Sequence, residues 1–458
     1  MFVNRKKELE LLNNEYKKQD SSFTVIYGRR RIGKTALITE YIKDKRAIYF
    51  YATESKLNLQ LERLTEQAAN FFDKEYIKQL KFSDFEQFFI FFSENITGNK
   101  KSILVIDEYQ NLPLLDKSFS SMLQKVWDLY LKDKNVHLIL CGSIISMMHS
   151  EVLDYSSPLY GRRTSNIHLK ELKFKHITSF IKNLNPIDQM NVYSSFGTVP
   201  KYLELYEGNK SFYNNIKDNM LDKNSYLYHE VKFLLKEEIK DINTYFSILE
   251  AISFGNRKIG KIAGKINVNT SHLTRYLMKL IDLNIIEKEI PVTEKNPLKS
   301  KFGRYRIKDS FINFWFYYIY KNYSYLEIGN IDFVLSEIKR TFNERFVSFC
   351  FEDYVKEIIS DNPLNYLGFV PQKTGRWWNN REEIDLIAIG EKNITFIECK
   401  WNNQKVGYEV IENLMIKSSN VVYPNIEKLN KIFVIFSKAG FKENLKSSDN
   451  IKLFSYLE

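Results

Sequence analysis

The sequence predicts an α/β chain in two parts, a doubly wound parallel sheet at the front and a second, smaller α/β unit at the back, with a helical stretch between them. Three observations predict it. Residues 23–27, 102–106 and 136–141 are short apolar runs separated by helical periodicity, the pattern of strands buried on both faces of a parallel sheet. Residues 244–308 change to short helices followed by two strand-like runs. After the helical ERFVSFCFEDYVKEIIS, strands return as EEIDLIAIG and ITFIECKW.

The chain has 458 residues, long enough for several domains of about 150 residues each. No apolar run approaches the roughly 20 residues of a membrane span, and the opening MFVNRKKELELL is a charged amphipathic helix without a signal-peptide apolar block. A cytoplasmic location is expected. Three cysteines, Cys141, Cys350 and Cys399, form no CxxC pair, which argues against a disulfide framework or a zinc site. The net charge of +11 favours a polyanionic partner.

The first strand, FTVIY, runs into GRRRIGKT and then the amphipathic ALITEYIK. In Gly-x-x-x-x-Gly-Lys-Thr the glycines let successive N–H groups turn inward on a polyanion, and the following helix adds the positive end of its dipole. Gly28, Arg29, Arg30, Arg31, Ile32, Gly33, Lys34 and Thr35 are therefore the candidate ATP-binding loop. Lys34 would meet the β- and γ-phosphates and Thr35 would ligate Mg²⁺. The three arginines have solvated charge as their plainer role. AIYFYAT, residues 47–53, is the next buried strand.

The strand SILVI ends in Asp107 and Glu108, the second half of a nucleotide site. Asp107 is expected to hold Mg²⁺ through water, and Glu108 to polarise the attacking water. VHLILC runs into Gly142 and Ser143, where Ser143 either senses the γ-phosphate or caps the next helix.

GRRRIGKT, SILVIDEYQNL, LILCGSIISMM and SPLYGRRT together resemble the archaeal and bacterial ATPase family of the AAA+/STAND division. The resemblance covers about the first half of the chain and implies an α/β core that binds ATP and Mg²⁺. It assigns Arg162 and Arg163 to phosphate, with a plain basic turn as the alternative. FGTVPKYLELY resembles the Gly-x-Pro element of the STAND helical lid through Gly197 and Pro200.

Residues 244–308 follow the order of a winged helix-turn-helix. Between residues 256 and 308 thirteen lysines and arginines face four acidic residues, so most of the net charge sits where a DNA reader needs it. Asn267, Asn269, Thr270, Ser271, His272 and Arg275 line the expected recognition helix; Lys295, Lys299, Lys301 and Arg304 lie in the wing. Winged helices also serve as internal lids and docking modules. The aromatic run 311–329 is expected to be a buried helix joining domains.

At the back, Asp385 lies on one strand and Glu398 with Lys400 on the next, two residues apart and so on one face. Two such carboxylates suit a divalent metal, and the lysine can assist water attack on a phosphodiester. A charged strand edge would read the same. The spacing resembles the PD-(D/E)XK nuclease superfamily, in which Glu352 matches the upstream helix carboxylate and a metal ligand.

The full expectation is a P-loop doubly wound parallel-sheet ATPase core (residues 1–205), a helical lid and winged helix-turn-helix (206–335) and a smaller α/β restriction-endonuclease-like domain (336–458). This order resembles the DUF234-type ATPases. The expected function is an ATP-binding and ATP-hydrolysing switch coupled to DNA and to a metal-dependent nuclease-like effector. The alternative is a non-enzymatic, ATP-gated DNA-binding regulator with an inactive docking domain.

Overall fold

A computed structural model describes residues 2–96, 100–239 and 241–457. The chain forms two compact units, Met1–Leu172 with Val199–Lys201, and Lys173–Thr198 with Tyr202–Glu458.

The first unit is built on β1 (Ser22–Tyr27), β2 (Ala47–Tyr51), β3 (Ser102–Asp107), β4 (Val136–Gly142) and β5 (Ser165–His168). They lie in the order β2-β3-β4-β1-β5, every neighbouring pair parallel. Successive side chains of a strand point to opposite faces, and β1, β3 and β4 are buried along their whole length, which is why they are mostly apolar. Phe23, Val25, Leu104, Ile106, Leu138 and Leu140 join one core with the helices Leu57–Phe72, Phe85–Asn95 and Phe119–Val126. Ile26, Ile103, Val105, Ile139 and Cys141 join another with Leu37, Ile38 and Tyr41 of the helix Lys34–Ile42 and Leu12 of the helix Lys6–Lys17. His137, fully buried on β4, is satisfied by the Thr24 and Tyr41 hydroxyls at 2.7 and 2.8 Å. Burial pushes it down to about 3, so it is neutral there. The loops that follow β1, β3 and β4 share the C-terminal edge of the sheet, the side on which open α/β sheets bind ligands.

In the second unit the helices Ile242–Ser253, Ile259–Ile266 and Thr270–Asp282 precede an antiparallel pair, β6 (Ile286–Glu289) and β7 (Arg304–Ile307), with Glu289 opposite Arg304. The first part of the aromatic run that follows is buried, with Phe311, Phe314, Trp315 and Phe316 inaccessible and the Trp315 indole donating to the Tyr228 carbonyl at 2.8 Å, whereas Tyr325 and Ile328 nearer its end are exposed, so the run is not one buried helix. The last sheet contains β8 (Lys373–Trp378), β9 (Glu383–Ile389), β10 (Asn393–Lys400), β11 (Asn430–Ser437) and β12 (Ile451–Ser455). Its order is β12-β11-β10-β9-β8, with β10, β11 and β12 parallel and β8 and β9 antiparallel to their neighbours. Ile387, Ile389, Ile394 and Phe396 face the helix Tyr408–Ser419 through Ile411 and Leu414.

Candidate functional site

The phosphate loop is shaped by its backbone. Gly28 has φ 147°, and a Cβ there would lie 2.3 Å from the Leu169 carbonyl oxygen and 2.6 Å from Ile32 Cδ1. Gly33, at φ 93°, opens the helix Lys34–Ile42, whose free N–H groups face the loop. Ile32 is inaccessible and anchors the loop to the core. Arg5, which the sequence did not single out, braces it from below by donating to the carbonyls of Ile32 at 2.9 Å and Lys170 at 2.7 Å. Arg29 is buried 3.8 Å from Glu171, whereas Arg30 is exposed and Arg31 half-buried.

The Lys34 ammonium is buried and donates to the Gly28 and Arg29 carbonyls at 2.8 and 3.1 Å. Burial pulls it below the ordinary lysine range, opposed by Cys141, Glu108 and Asp107. The exposed Thr35 donates to Asp107 Oδ2 at 3.1 Å, and the Tyr49 hydroxyl donates to the same oxygen. Burial first, then that bond, pushes the Tyr49 hydroxyl up, so it stays a donor. The other Asp107 oxygen accepts the Glu108 N–H at 2.9 Å. A carboxylate fixed beside a threonine hydroxyl at the loop is a donor set that fits Mg²⁺, with Thr35 and Asp107 as its protein contacts.

Glu108 stands in the left-handed region, φ 53°. Its carboxylate accepts from the Ser143 hydroxyl at 2.8 Å and from the Gln110 amide. Gln110 also donates to Ser143 Oγ at 3.2 Å, and Arg30 Nε donates there at 3.4 Å. The ends of β3 and β4 thus join Glu108 and Ser143 in one network beside the loop. Tyr49 and Gln110 were missed by sequence reasoning. The signals were Tyr49 inside a buried strand and Gln110 two residues after Glu108, both weak without the sheet order.

Arg162 and Arg163 are not brought to the loop of this chain. Thr164 N–H donates to the Phe23 carbonyl at 2.7 Å, so the arginines lie level with the start of β1, while the phosphate loop follows its end. Arg162 pairs with Asp128 at 3.0 Å, and Arg163 donates to the Val152 and Leu153 carbonyls at 3.3 and 3.1 Å.

In the last sheet Ile397 pairs with Leu386, which sets Asp385 opposite Glu398 and puts Asp385, Glu398 and Lys400 on one face. Asp385 accepts the Cys399 N–H at 2.8 Å. Burial, then the Glu398 charge, pushes it up to about 7. Glu398 Oε1 meets Lys400 at 2.7 Å and Lys417 at 3.6 Å, while Oε2 is buried without a hydrogen-bond partner. That orphaned oxygen, facing a carboxyl held up by its charge, fits a cation shared by Asp385 and Glu398. Lys417 is a further contact that sequence reasoning missed, because it comes from a helix rather than from either strand.

Glu352 is placed differently. Arg376 on β8 bonds its carboxylate and also meets Glu289 at 3.1 Å and Asp353 at 3.0 Å. Burial, then Asp385, pushes Glu352 well up. Among the described residues no group of three His, Cys, Asp or Glu side chains is arranged to hold a metal, so the expected set of Glu352, Asp385 and Glu398 is not assembled.

Asn267, Asn269, Thr270, Ser271, His272 and Arg275 are all exposed, and Asn269 caps the helix Thr270–Asp282 through the Ser271 N–H at 3.2 Å. Lys295, Lys299 and Lys301 are exposed too. Arg304 instead pairs with Glu383 at 3.0 Å and lies 4.5 Å over the Trp378 ring. Gly197 takes φ 68°, and Pro200 opens the helix Pro200–Leu203.

A family described as an ATPase domain predominantly from Archaea matches residues 2–206, and one described as archaeal and bacterial proteins of unknown function, DUF234, matches residues 315–411. The uncharacterized protein MJECL04 of Methanocaldococcus jannaschii is 38% identical over 449 residues, 97% of each chain. An uncharacterized ATP-binding protein of the same organism, MJ0423, is 46% identical over 46 residues, 10% of this chain and 78% of its own. The fold is similar to that of the Walker-type ATPase PABY2304 of Pyrococcus abyssi, with a TM-score of 0.54 at 18% identity over 69% of this chain and 96% of that one. With a parallel P-loop core in front and a smaller sheet behind, the chain belongs to the DUF234-type family of archaeal and bacterial ATPases.

Proposed function

We propose that the chain is an ATP-hydrolysing switch that contacts DNA through a winged helix-turn-helix and carries a metal-dependent, nuclease-like effector, with working parts at residues 1–205, 206–335 and 336–458. The observation that carries the reading is the gathering of Lys34, Thr35, Asp107, Glu108 and Ser143 around one loop. Mg²⁺, when bound, would offset the charge of the β- and γ-phosphates. Lys34 exchanges the Gly28 and Arg29 carbonyls for phosphate oxygens, which a buried cation gains from most. Glu108, aimed by Ser143 and Gln110, takes a hydrogen bond from the attacking water. Ser143, touching the carboxylate that handles this water, reports the γ-phosphate to β4.

DNA is the proposed partner because the first half of the helix Thr270–Asp282 is polar and exposed and three wing lysines stand beside it in sequence. At the back, Asp385 and Glu398 are the proposed cation contacts, with Lys400 beside the water. The bond between Arg376 and Glu352 favours a second reading, in which the back domain binds and does not cut.

The test is ATP turnover and nucleic-acid cleavage assayed together with Mg²⁺ or Mn²⁺ on duplex DNA, single-stranded DNA and RNA. ATP turnover lost in Lys34→Ala, with cleavage lost in Glu398→Ala alone, is the expected result. ATP turnover with no substrate cut selects the second reading. Equal ATP turnover by parent and Lys34→Ala overturns the switch.

A further inference from the structure

A cavity of about 290 Å³ lies within the second unit, lined by none of the phosphate loop's residues. Its walls come from the end of the helix Ile242–Ser253, the segment after β7 and the chain around Phe349. Five cationic side chains line it and one acidic one, Asp353. Two of the five are already neutralised: Arg306 by Asp353 at 2.7 Å, Glu289 at 3.0 Å and Glu287 at 2.5 Å, and Arg376 by Glu289, Glu352 and Asp353.

The remaining three, Arg257, Lys308 and Arg345, have no carboxylate within ion-pair distance among the described residues. Arg257 lies 4.8 Å over the Phe349 ring and Arg345 lies 4.4 Å over Tyr317. A guanidinium laid on a ring is fixed in orientation and keeps its N–H edge for a ligand. Lys308 donates to Asn284 at 2.7 Å, which leaves two of its protons. Burial holds Arg257 below the usual arginine range; Glu289 and Glu352 work against it, and Arg376 and Arg306 add to it. Three cationic side chains line one hollow, and a multiply charged anion there would meet them together.

The rest of the lining defines what the anion is attached to. Phe346 and Phe349 give an apolar wall, and Ser310 and Asn313 offer a hydroxyl and an amide. The volume is at the small end of ligand pockets, which run from roughly 300 to 1,000 Å³. It has room for about one nucleotide and none for a duplex.

We infer that this cavity is a binding site for a small phosphorylated ligand of the nucleoside monophosphate class, its phosphate held by Arg257, Lys308 and Arg345 and its ring against the phenylalanine wall. The inference is independent of whether the front loop hydrolyses ATP or the back sheet cuts nucleic acid.

The test is isothermal titration of the full-length Lys34→Ala chain, in which the front loop is disabled, with 5′-AMP, inorganic phosphate and adenosine in turn. The expected result is saturable one-to-one binding of AMP, weaker binding of phosphate and none of adenosine. Arg257→Gln combined with Arg345→Gln should weaken AMP at least tenfold, and Arg257→Lys with Arg345→Lys should recover part of the loss. If the glutamine pair disturbs the fold, as circular dichroism would show, the exposed Lys308→Ala is titrated instead and should weaken AMP several-fold. No saturable AMP binding, equal binding by the charge-removed chains, or binding of adenosine as tight as that of AMP would each overturn the proposal.

Discussion

Glu108, as the proposed partner of the attacking water, gives a test that separates binding from turnover. Its carboxylate is clasped by Ser143 and Gln110. Glu108→Gln should keep nucleotide affinity in a titration and lower ATP turnover by about 10²–10⁴-fold, the usual worth of a positioned base. Asp385 invites a different measurement. Its carboxyl, held at about 7 against about 4 in an unfolded chain, binds a proton more tightly when folded. The folded state therefore holds more protons between about pH 4 and 7, and this contribution to stability is complete below pH 4 and lost as pH rises through 7. Asp385→Asn should flatten that stretch of the stability curve, read by denaturant midpoints. Adding Mn²⁺ at pH 7 without nucleotide should raise the melting temperature of the parent and leave Asp385→Asn unmoved. Lys34, Thr35, Asp107 and Glu108 were legible in the sequence because strand, loop and helix are local and their side chains stay at the loop. Tyr49, Gln110 and Arg5 were not legible, since what they touch depends on which strands lie side by side.

Among the elements, the turn after β1 tolerates least. Gly28→Ala puts a methyl group 2.3 Å from a backbone oxygen at a φ that L-residues avoid. We expect it to cost about 1–3 kcal/mol and to abolish ATP binding, measured by melting and by titration. In the β6–β7 hairpin the charges expected of a wing divide into exposed and engaged ones. Lys299 and Lys301 face solvent, so replacing both should reduce the salt dependence of DNA binding by about two phosphate contacts. Arg304→Ala should instead lower the melting temperature and leave that slope unchanged, because its charge is engaged with Glu383 and Trp378. Charge counting found the basic stretch correctly but could not tell which cations stay free. Arg304 pairs with a residue 79 positions away, and no local pattern announces that.

At the scale of the molecule, the parallel front sheet and the smaller rear sheet were both readable, because apolar runs of strand length survive any arrangement of their neighbours. Arg162 and Arg163 show the limit: a motif carries residue types, whereas the end of the sheet they occupy is set by the pairing of β1 with β5. The rear unit also contains a set of ion pairs, Arg306 and Arg376 with Glu289, Glu352 and Asp353, drawn from the β6–β7 hairpin, the helix Ser348–Asp361 and β8. Although burial works the other way, Arg306 and Arg376 pull Asp353 down to about 2. Removing Arg376 should cost about 3–5 kcal/mol in a denaturant titration, since it leaves carboxylates facing each other in poor solvent.

These ion pairs bear on inheritance. The DUF234 match, residues 315–411, begins after β7 and so leaves Glu289 and Arg306 outside it. A lineage that traded this region as a cassette would receive half of a charge lock without its key. Chimaeras between relatives should therefore fold when residues 286–307 travel with the rear sheet and fail when they stay behind, and charge reversals at Arg306 and Asp353 should be tolerated together more readily than apart.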